Sequence, residues 1–190
     1  MSERGPMSVA RILGGIVVMG AVLAATPAAA ATPECFLKVD GVAGESADAR
    51  HRGEIDLLSW TLGVTNSPAA TAAGAAGGGG RSEFQPLKVN VRLERAVPSL
   101  VQLAAAGQHV REVALACRRP GREAGDYLRI LLAEVLVTGV RLAETPEAPP
   151  SAEISVSYGK ITIDYRPQMP DGSLGPATTI GWDVRANKRP

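Results

Sequence analysis

Short stretches of alternating apolar and polar residues, separated by glycine, proline and polar turns, most constrain what this sequence can fold into. The clearest stretch runs from Lys88 to Glu94. Its apolar residues are Val89, Val91 and Leu93, and the residues between them are polar or charged. Because successive side chains of a strand point to opposite faces, this period of two predicts a strand with one buried face.

Similar stretches recur along the chain and predict a mainly β protein. They cover residues 35–40, 54–65, 110–118, 154–158, 161–165 and 178–185. The alternation changes phase near Leu57 and again at Gly159, and a one-residue change of phase indicates a bulge or bend. Pro98 and Gly107 have the residue types that begin and end a helix, so one helix is predicted between them. The pattern is typical of a β-barrel or sandwich.

Two further segments are harder to assign from pattern. Residues 126–142 place Leu128, Leu131 and Leu132 at helical spacing, whereas their β-branched content and Gly139 favour a strand. Periodicity cannot separate these alternatives, which both remain open. Residues 144–151 are rich in proline and are predicted to form a loop.

The segment 67–82 contains only small or polar side chains and four consecutive glycines. Without a large apolar side chain it cannot contribute to a core. Its composition predicts a flexible connection.

Residues 1–31 have the organisation of an export leader. Arg4 and Arg11 precede the apolar stretch 12–25, and small residues follow it. The alternative is a membrane anchor, but the apolar stretch is shorter than the ~20 residues needed to span a bilayer and is followed by Pro27. We therefore expect cleavage after Ala30 or Ala31, a single domain over 32–190, and no stable membrane anchor.

Charge and composition exclude several function classes. The 20 basic and 19 acidic residues give a formal net charge of +1, which argues against a nucleic-acid-binding surface. His51 and His109 are expected to be solvated loop residues, and no motif matches a metal site or a nucleophilic triad. Asp126, Glu134 and Glu153 are expected at exposed strand positions. The sequence therefore predicts no metal, no cofactor and no enzymatic activity.

The two cysteines occupy inward positions of predicted strands. Cys35 lies in phase with Leu37, and Cys117 lies in phase with Leu115. Two alternatives are open from the sequence, namely a disulfide bond or two buried free thiols.

From Phe36 onward the chain resembles the Hcp family, the haemolysin-coregulated proteins of bacterial type VI secretion systems. The matching segments, in order along the chain, are 36–46 (FLKVDGVAGES), 54–60 (EIDLLSW), 88–91 (KVNV), 127–137 (YLRILLAEVLV), 161–170 (ITIDYRPQMP) and 181–185 (GWDVR). Each segment is short, but the ordered set spans nearly the whole domain.

This resemblance implies a β-barrel of two sheets with one flanking α-helix, and it assigns residues 126–142 to β structure. It implies homo-hexameric rings that stack into a tube, are secreted with a spike protein at the tip, and have sheath and effector proteins as partners. It also implies that the Ala/Gly-rich segment contacts the next ring. The residues of this predicted ring-stacking loop are Thr71, Gly74, Gly77, Gly78, Gly79 and Gly80.

The leader raises an alternative, because tube proteins of this family normally lack a signal peptide. Either translation starts further downstream than Met1, or the chain is an exported Hcp-like paralogue, secreted via the periplasm, that acts as an effector, a carrier or an envelope-associated binding protein. Enzymatic members of the family carry an extra C-terminal domain, whereas this chain ends at Pro190 soon after the last matching segment. A structural rather than enzymatic protein is therefore expected.

Overall fold

The computed structural model describes residues 34–67, 81–119, 125–146 and 148–190. The predicted leader and the predicted ring-stacking loop residues lie outside these ranges. The strands are β1 (Glu34–Val39), β2 (Ile55–Thr61), β3 (Val64–Ser67), β4 (Arg81–Phe84), β5 (Leu87–Arg92), β6 (His109–Arg118), β7 (Asp126–Thr145), β8 (Ala148–Ser157), β9 (Lys160–Tyr165) and β10 (Thr178–Asp183), and the helix is α1 (Ala96–Ala106).

Six antiparallel strands close into a barrel in the order β7, β6, β1, β2, β5, β8, because β8 also pairs with β7. Closure leaves these strands without a free edge, which protects them from pairing with other chains. Strands β9 and β10 extend the same sheet, and β3 and β4 form a separate two-stranded sheet. The prediction of a mainly β barrel with one helix is confirmed.

The 20-residue strand β7 belongs to both parts of the large sheet. Residues Leu128 to Ala133 pair with β9, whereas Leu136 to Thr145 pair with β8 along the same edge. The segment left open by its periodicity is therefore β, as the resemblance implies. Hydrogen bonding on both edges of the strand outweighs the helical spacing of its leucines, since tertiary context overrides local preference.

The core consists of aliphatic side chains from the barrel strands and from one side of α1. The largest fully buried ones are Leu37, Ile55, Leu87, Leu100, Leu115, Ile130, Leu132 and Ile154. The helix α1 packs against β7 and buries Val97 and Leu100, whereas Val101 is exposed. The helix ends as predicted at Gly107, whose φ of 60° suits glycine and whose N–H donates to the Ala104 carbonyl.

Both predicted changes of phase coincide with irregular pairing. The register between β2 and β5 shifts between Leu57 and Ser59. Between β8 and β9, the Gly159 N–H donates to the carbonyls of Ala133 and Glu134, and Glu134 has a φ of 55°. The long strand therefore bends where the pairing passes from β8 to β9.

The prediction of a loop over residues 144–151 is wrong. Strand β7 continues to Thr145, β8 begins at Ala148, and these two residues are paired. Proline cannot donate to a ladder, but the carbonyl of Pro150 accepts from the Leu93 N–H at 3.2 Å. Pro149 and Pro150 are therefore accommodated in β8, whereas Pro146 lies in the turn after β7. Within the described ranges, no helix is both long and apolar enough to cross a membrane.

Candidate functional site

An apolar groove of about 680 Å³ lies between the β3–β4 hairpin and the outer strands β9 and β10. Its apolar lining residues are Leu62, Val64, Phe84, Ile161, Ile163, Ile180, Trp182 and Pro190. Val64 is 58% exposed and Ile180 is 60% exposed. Such a contiguous apolar surface is typical of an interaction site.

The groove adjoins the outer edge of the large sheet. Strand β10 is the last strand in the sheet order. In the described part of the chain, its outer edge forms one isolated bridge, between Asp183 and Lys188. Strand edges of this kind offer backbone donors and acceptors to another chain. The groove therefore combines apolar surface with backbone hydrogen-bonding groups.

Aromatic contacts hold the β3–β4 hairpin against β10 and the connection between β8 and β9. The ring of Phe84 lies 6.3 Å from that of Trp182 and 6.4 Å from that of Tyr158. The Tyr158 hydroxyl donates to the Gln85 carbonyl at 3.2 Å, and burial raises the pKa of Tyr158 to about 12. The hairpin from which the predicted ring-stacking loop continues is thus fixed in position.

Cys35 and Cys117 lie directly opposite each other on β1 and β6. Their Cα atoms are 4.1 Å apart and their Sγ atoms are 2.07 Å apart, so the structure contains the disulfide rather than two free thiols. Cys117 is fully buried, whereas Cys35 is partly exposed. The bond connects two strands already paired in the barrel wall.

The prediction that His51 is a solvated loop residue is wrong, because its exposed fraction is 6%. Its Nδ1 lies 2.8 Å from Glu54 Oε2, and its Nε2 lies 3.1 Å from Asp126 Oδ1. These contacts attach the connection between β1 and β2 to the start of β7. The sequence carries no signal for this contact, since His51 and Asp126 are 75 positions apart.

Arg118 is the centre of a second polar cluster beside the disulfide. Its Nη2 lies 2.6 Å from Glu34 Oε2 and 2.5 Å from Asp48 Oδ2. Burial acts to raise the pKa of Asp48, but the N–H groups of Arg50 and His51 and the Arg118 guanidinium outweigh it and lower this pKa. The cluster fixes the β1–β2 connection at a second point.

The three carboxylates expected at exposed strand positions do lie in strands but are half-buried rather than exposed, and each contacts a basic side chain. Asp126 contacts His51, and Glu153 lies 3.8 Å from Arg141. Glu134 lies 2.9 Å from both Lys160 and Arg185, and its pKa is lowered, chiefly by the Lys160 hydrogen bond. Ion pairs of this kind stabilise local geometry. Across the described ranges, no group of three or more His, Cys, Asp or Glu residues is arranged to hold a metal ion.

Comparisons with known proteins agree with this architecture. A family model described as "Type VI secretion system effector, Hcp" matches residues 36–165. Protein hcp1 of Pseudomonas aeruginosa is 32% identical over 157 residues, which cover 81% of this chain and 96% of that protein.

Solved structures of similar proteins share the fold. Hcp1 from Salmonella typhimurium has a TM-score of 0.69 at 26% identity and covers 83% of this chain and 99% of its own. A type VI secretion system effector from Yersinia pestis has a TM-score of 0.62 at 27% identity and covers 79% of this chain and 99% of its own.

Proposed function

Because the chain belongs to the Hcp family of secreted, non-enzymatic type VI secretion system proteins, we propose that it forms hexameric rings that stack into the secretion tube. The observation that carries this proposal is the apolar groove beside β10. Val64 and Ile180 are each more than half exposed within one contiguous apolar surface, which is typical of a surface that another chain covers. A second copy of the chain is the occupant that we propose for the groove.

The charge of the chain supports self-association. The formal net charge is +1 for 190 residues, so copies do not strongly repel one another. Removal of the predicted leader, with Arg4, Arg11 and Glu3, leaves no formal net charge. Apolar burial at about 25 cal/mol per Å² then favours association without a large electrostatic opposition.

Stacking between rings is assigned in this proposal to the segment that includes Thr71, Gly74 and the glycines from Gly77 to Gly80. Its support is the sequence, in which nearly all side chains are small, and the fixed hairpin from which it continues. Ordering such a segment costs conformational entropy, so the affinity between rings is modest. Deletion of residues 71–79 should preserve rings and reduce stacking.

The proposed partners follow from this role. They are further copies of the chain, a spike protein at the tube tip, the surrounding sheath, and effectors carried in the lumen.

Size-exclusion chromatography with light scattering, combined with negative-stain imaging, tests ring formation. We expect a hexameric mass and ring-shaped particles for the natural chain, and monomers for Ile180→Glu. Leu142→Glu is the matched control, because Leu142 is 56% exposed but lies outside the groove. A monomeric natural chain, or equal effects of the two substitutions, would contradict the proposal.

The leader-like sequence of residues 1–31 favours a second candidate, an exported paralogue that acts as a secreted carrier or envelope-associated binding protein. In that case the chain passes through the periplasm and loses its first ~30 residues. Intact-mass measurement of protein from culture medium distinguishes the routes. A processed mass in cells that lack a working type VI system supports the second candidate, and a full-length mass that requires the system supports the tube subunit.

A further inference from the structure

We propose that the Cys35–Cys117 bond forms and breaks by thiol–disulfide exchange at the Cys35 sulfur, and that neighbouring carboxylates select a cationic or neutral exchange partner. This goes beyond the ring proposal and does not depend on it. It assigns a site of covalent maturation to the end of the barrel at which β1 begins and β6 ends.

The two cysteines differ in exposure. Cys117 has no exposed surface, whereas Cys35 is partly exposed and lines two clefts of about 450 Å³ and 260 Å³. Among the residues that the structure describes, the open approach to the bond is therefore on the Cys35 side. Exchange requires in-line access to the attacked sulfur, so this difference assigns the reaction to Cys35.

Bond formation is a two-step exchange with an oxidised thiol–disulfide oxidoreductase or a small disulfide. The Cys35 thiolate attacks one sulfur of the partner, which breaks the partner's disulfide and releases a thiolate. The Cys117 sulfur, as thiolate, then attacks the Cys35 sulfur and releases the second partner thiolate. The chain loses two electrons and two protons, and the partner gains both electrons.

Burial of Cys117 also favours formation of the disulfide over its reduction. In the reverse reaction, an attack on Cys35 expels Cys117 as a thiolate into a fully buried position. A buried, unpaired charge is costly, so the Cys117 thiolate readily attacks the mixed disulfide on Cys35, releases the captured thiol and restores the Cys35–Cys117 bond. The completed bond is therefore expected to resist reduction while the barrel is folded.

Charge at the larger cleft determines which partner is favoured. The cleft is lined by the carboxylates of Glu34, Asp48 and Asp56 and by one cation, Arg118. Arg118 already pairs with Glu34 and Asp48, so the described residues that line this cleft carry more negative than positive charge. An anionic partner is repelled and a cationic one is attracted, and salt screens both effects.

The first test uses the reduced full chain, with circular dichroism to verify that it is folded. Reaction with cystamine or oxidised glutathione is quenched in acid and mapped by peptide mass spectrometry. We expect the first adduct on Cys35, at least about tenfold faster than on Cys117, and a faster reaction with cystamine whose advantage shrinks at high salt. A first adduct on Cys117, or a faster anionic reagent, would overturn the proposal.

Two matched pairs of variants refine the result. Cys117→Ser should accumulate the mixed disulfide on Cys35, whereas Cys35→Ser should leave Cys117 unreactive until denaturant is added. Asp56→Asn should reduce the ratio of the reaction rate with cystamine to that with oxidised glutathione. Glu83→Gln, at an exposed position of β4 outside the cleft, should leave this ratio unchanged.

A parallel measurement covers the case in which the reduced chain does not fold. The native, oxidised protein is incubated with a large excess of cysteamine or glutathione and quenched in acid, and the small fraction of mixed disulfide trapped in this way should again map to Cys35. Capture on Cys117 in the folded protein would contradict the assignment.

Discussion

The ring of Phe36 stacks on the imidazole of His51, with centroids 4.2 Å apart and planes inclined by 9°. Phe36 belongs to β1, and its ring also lies 5.3 Å from the Arg118 guanidinium of β6. The stack therefore joins the β1–β2 connection to the barrel wall beside the disulfide. It is the physical basis of the first prediction.

Replacement of His51 by alanine should reduce the free energy of unfolding by about 2 kcal/mol. The change removes the stack on Phe36 and leaves the Glu54 and Asp126 carboxylates without their histidine contact. Urea unfolding followed by circular dichroism measures the loss. His109→Ala, at an exposed position, is the control, and an equal loss in both variants would contradict this role.

Removal of the disulfide in the double variant Cys35→Ser/Cys117→Ser should lower stability by roughly 2–4 kcal/mol, because the bond restricts an unfolded chain over a separation of 82 residues. The barrel should still form, since β7–β8 pairing closes it elsewhere. Denaturant unfolding with and without a reductant measures the effect. A reductant should destabilise the natural chain and leave the double variant unchanged.

Acid should weaken the attachment of the β1–β2 connection through Asp48. Its folded-state pKa is lowered from 3.8, so its contribution is complete above that value and is lost as the pH falls toward the lower folded pKa. Unfolding free energies measured between about pH 2 and 6 should therefore fall less steeply for Asp48→Asn than for the natural chain. Parallel curves for the two proteins would argue against this assignment.

Gly159→Ala should destabilise the fold by about 1–3 kcal/mol. A Cβ at this position would lie 2.7 Å from Glu134 Oε2 and 3.1 Å from Glu134 Cβ, so the bend and its ion pairs must shift. Gly139→Ala, within β7, is the matched control, because the nearest heavy atom to a Cβ there is 4.0 Å away. Thermal unfolding of the two variants should separate them clearly.

The local sequence pattern was sufficient to predict features that depend on a single strand or helix. The alternation at Val89 and Val91 predicted buried strand positions, and Gly107 predicted the end of the helix. Leu93, in the same phase, is 47% exposed because β5 ends at Arg92. The alternation therefore indicated which side chains of a strand face the core better than it indicated where the strand ends.

Contacts between residues far apart in the chain could not be predicted from the sequence pattern. The contact between His51 and Asp126 depends on how β7 is placed beside the β1–β2 connection, and neither residue type signals it. The two cysteines were equally compatible with a bond or with free thiols until the register of β1 against β6 placed them opposite each other. The groove has the same origin, since its walls come from separate elements.

Strand β7 belongs both to the barrel and to the outer part of the sheet, and this has a mechanical consequence. One uninterrupted backbone supplies hydrogen bonds both to the closed barrel and to β9, which carries β10 and one wall of the groove. The groove wall cannot swivel relative to the barrel unless several of these bonds break, because no hinge loop separates them. An assembly built through that surface would have its curvature determined by the rigid sheet of each subunit.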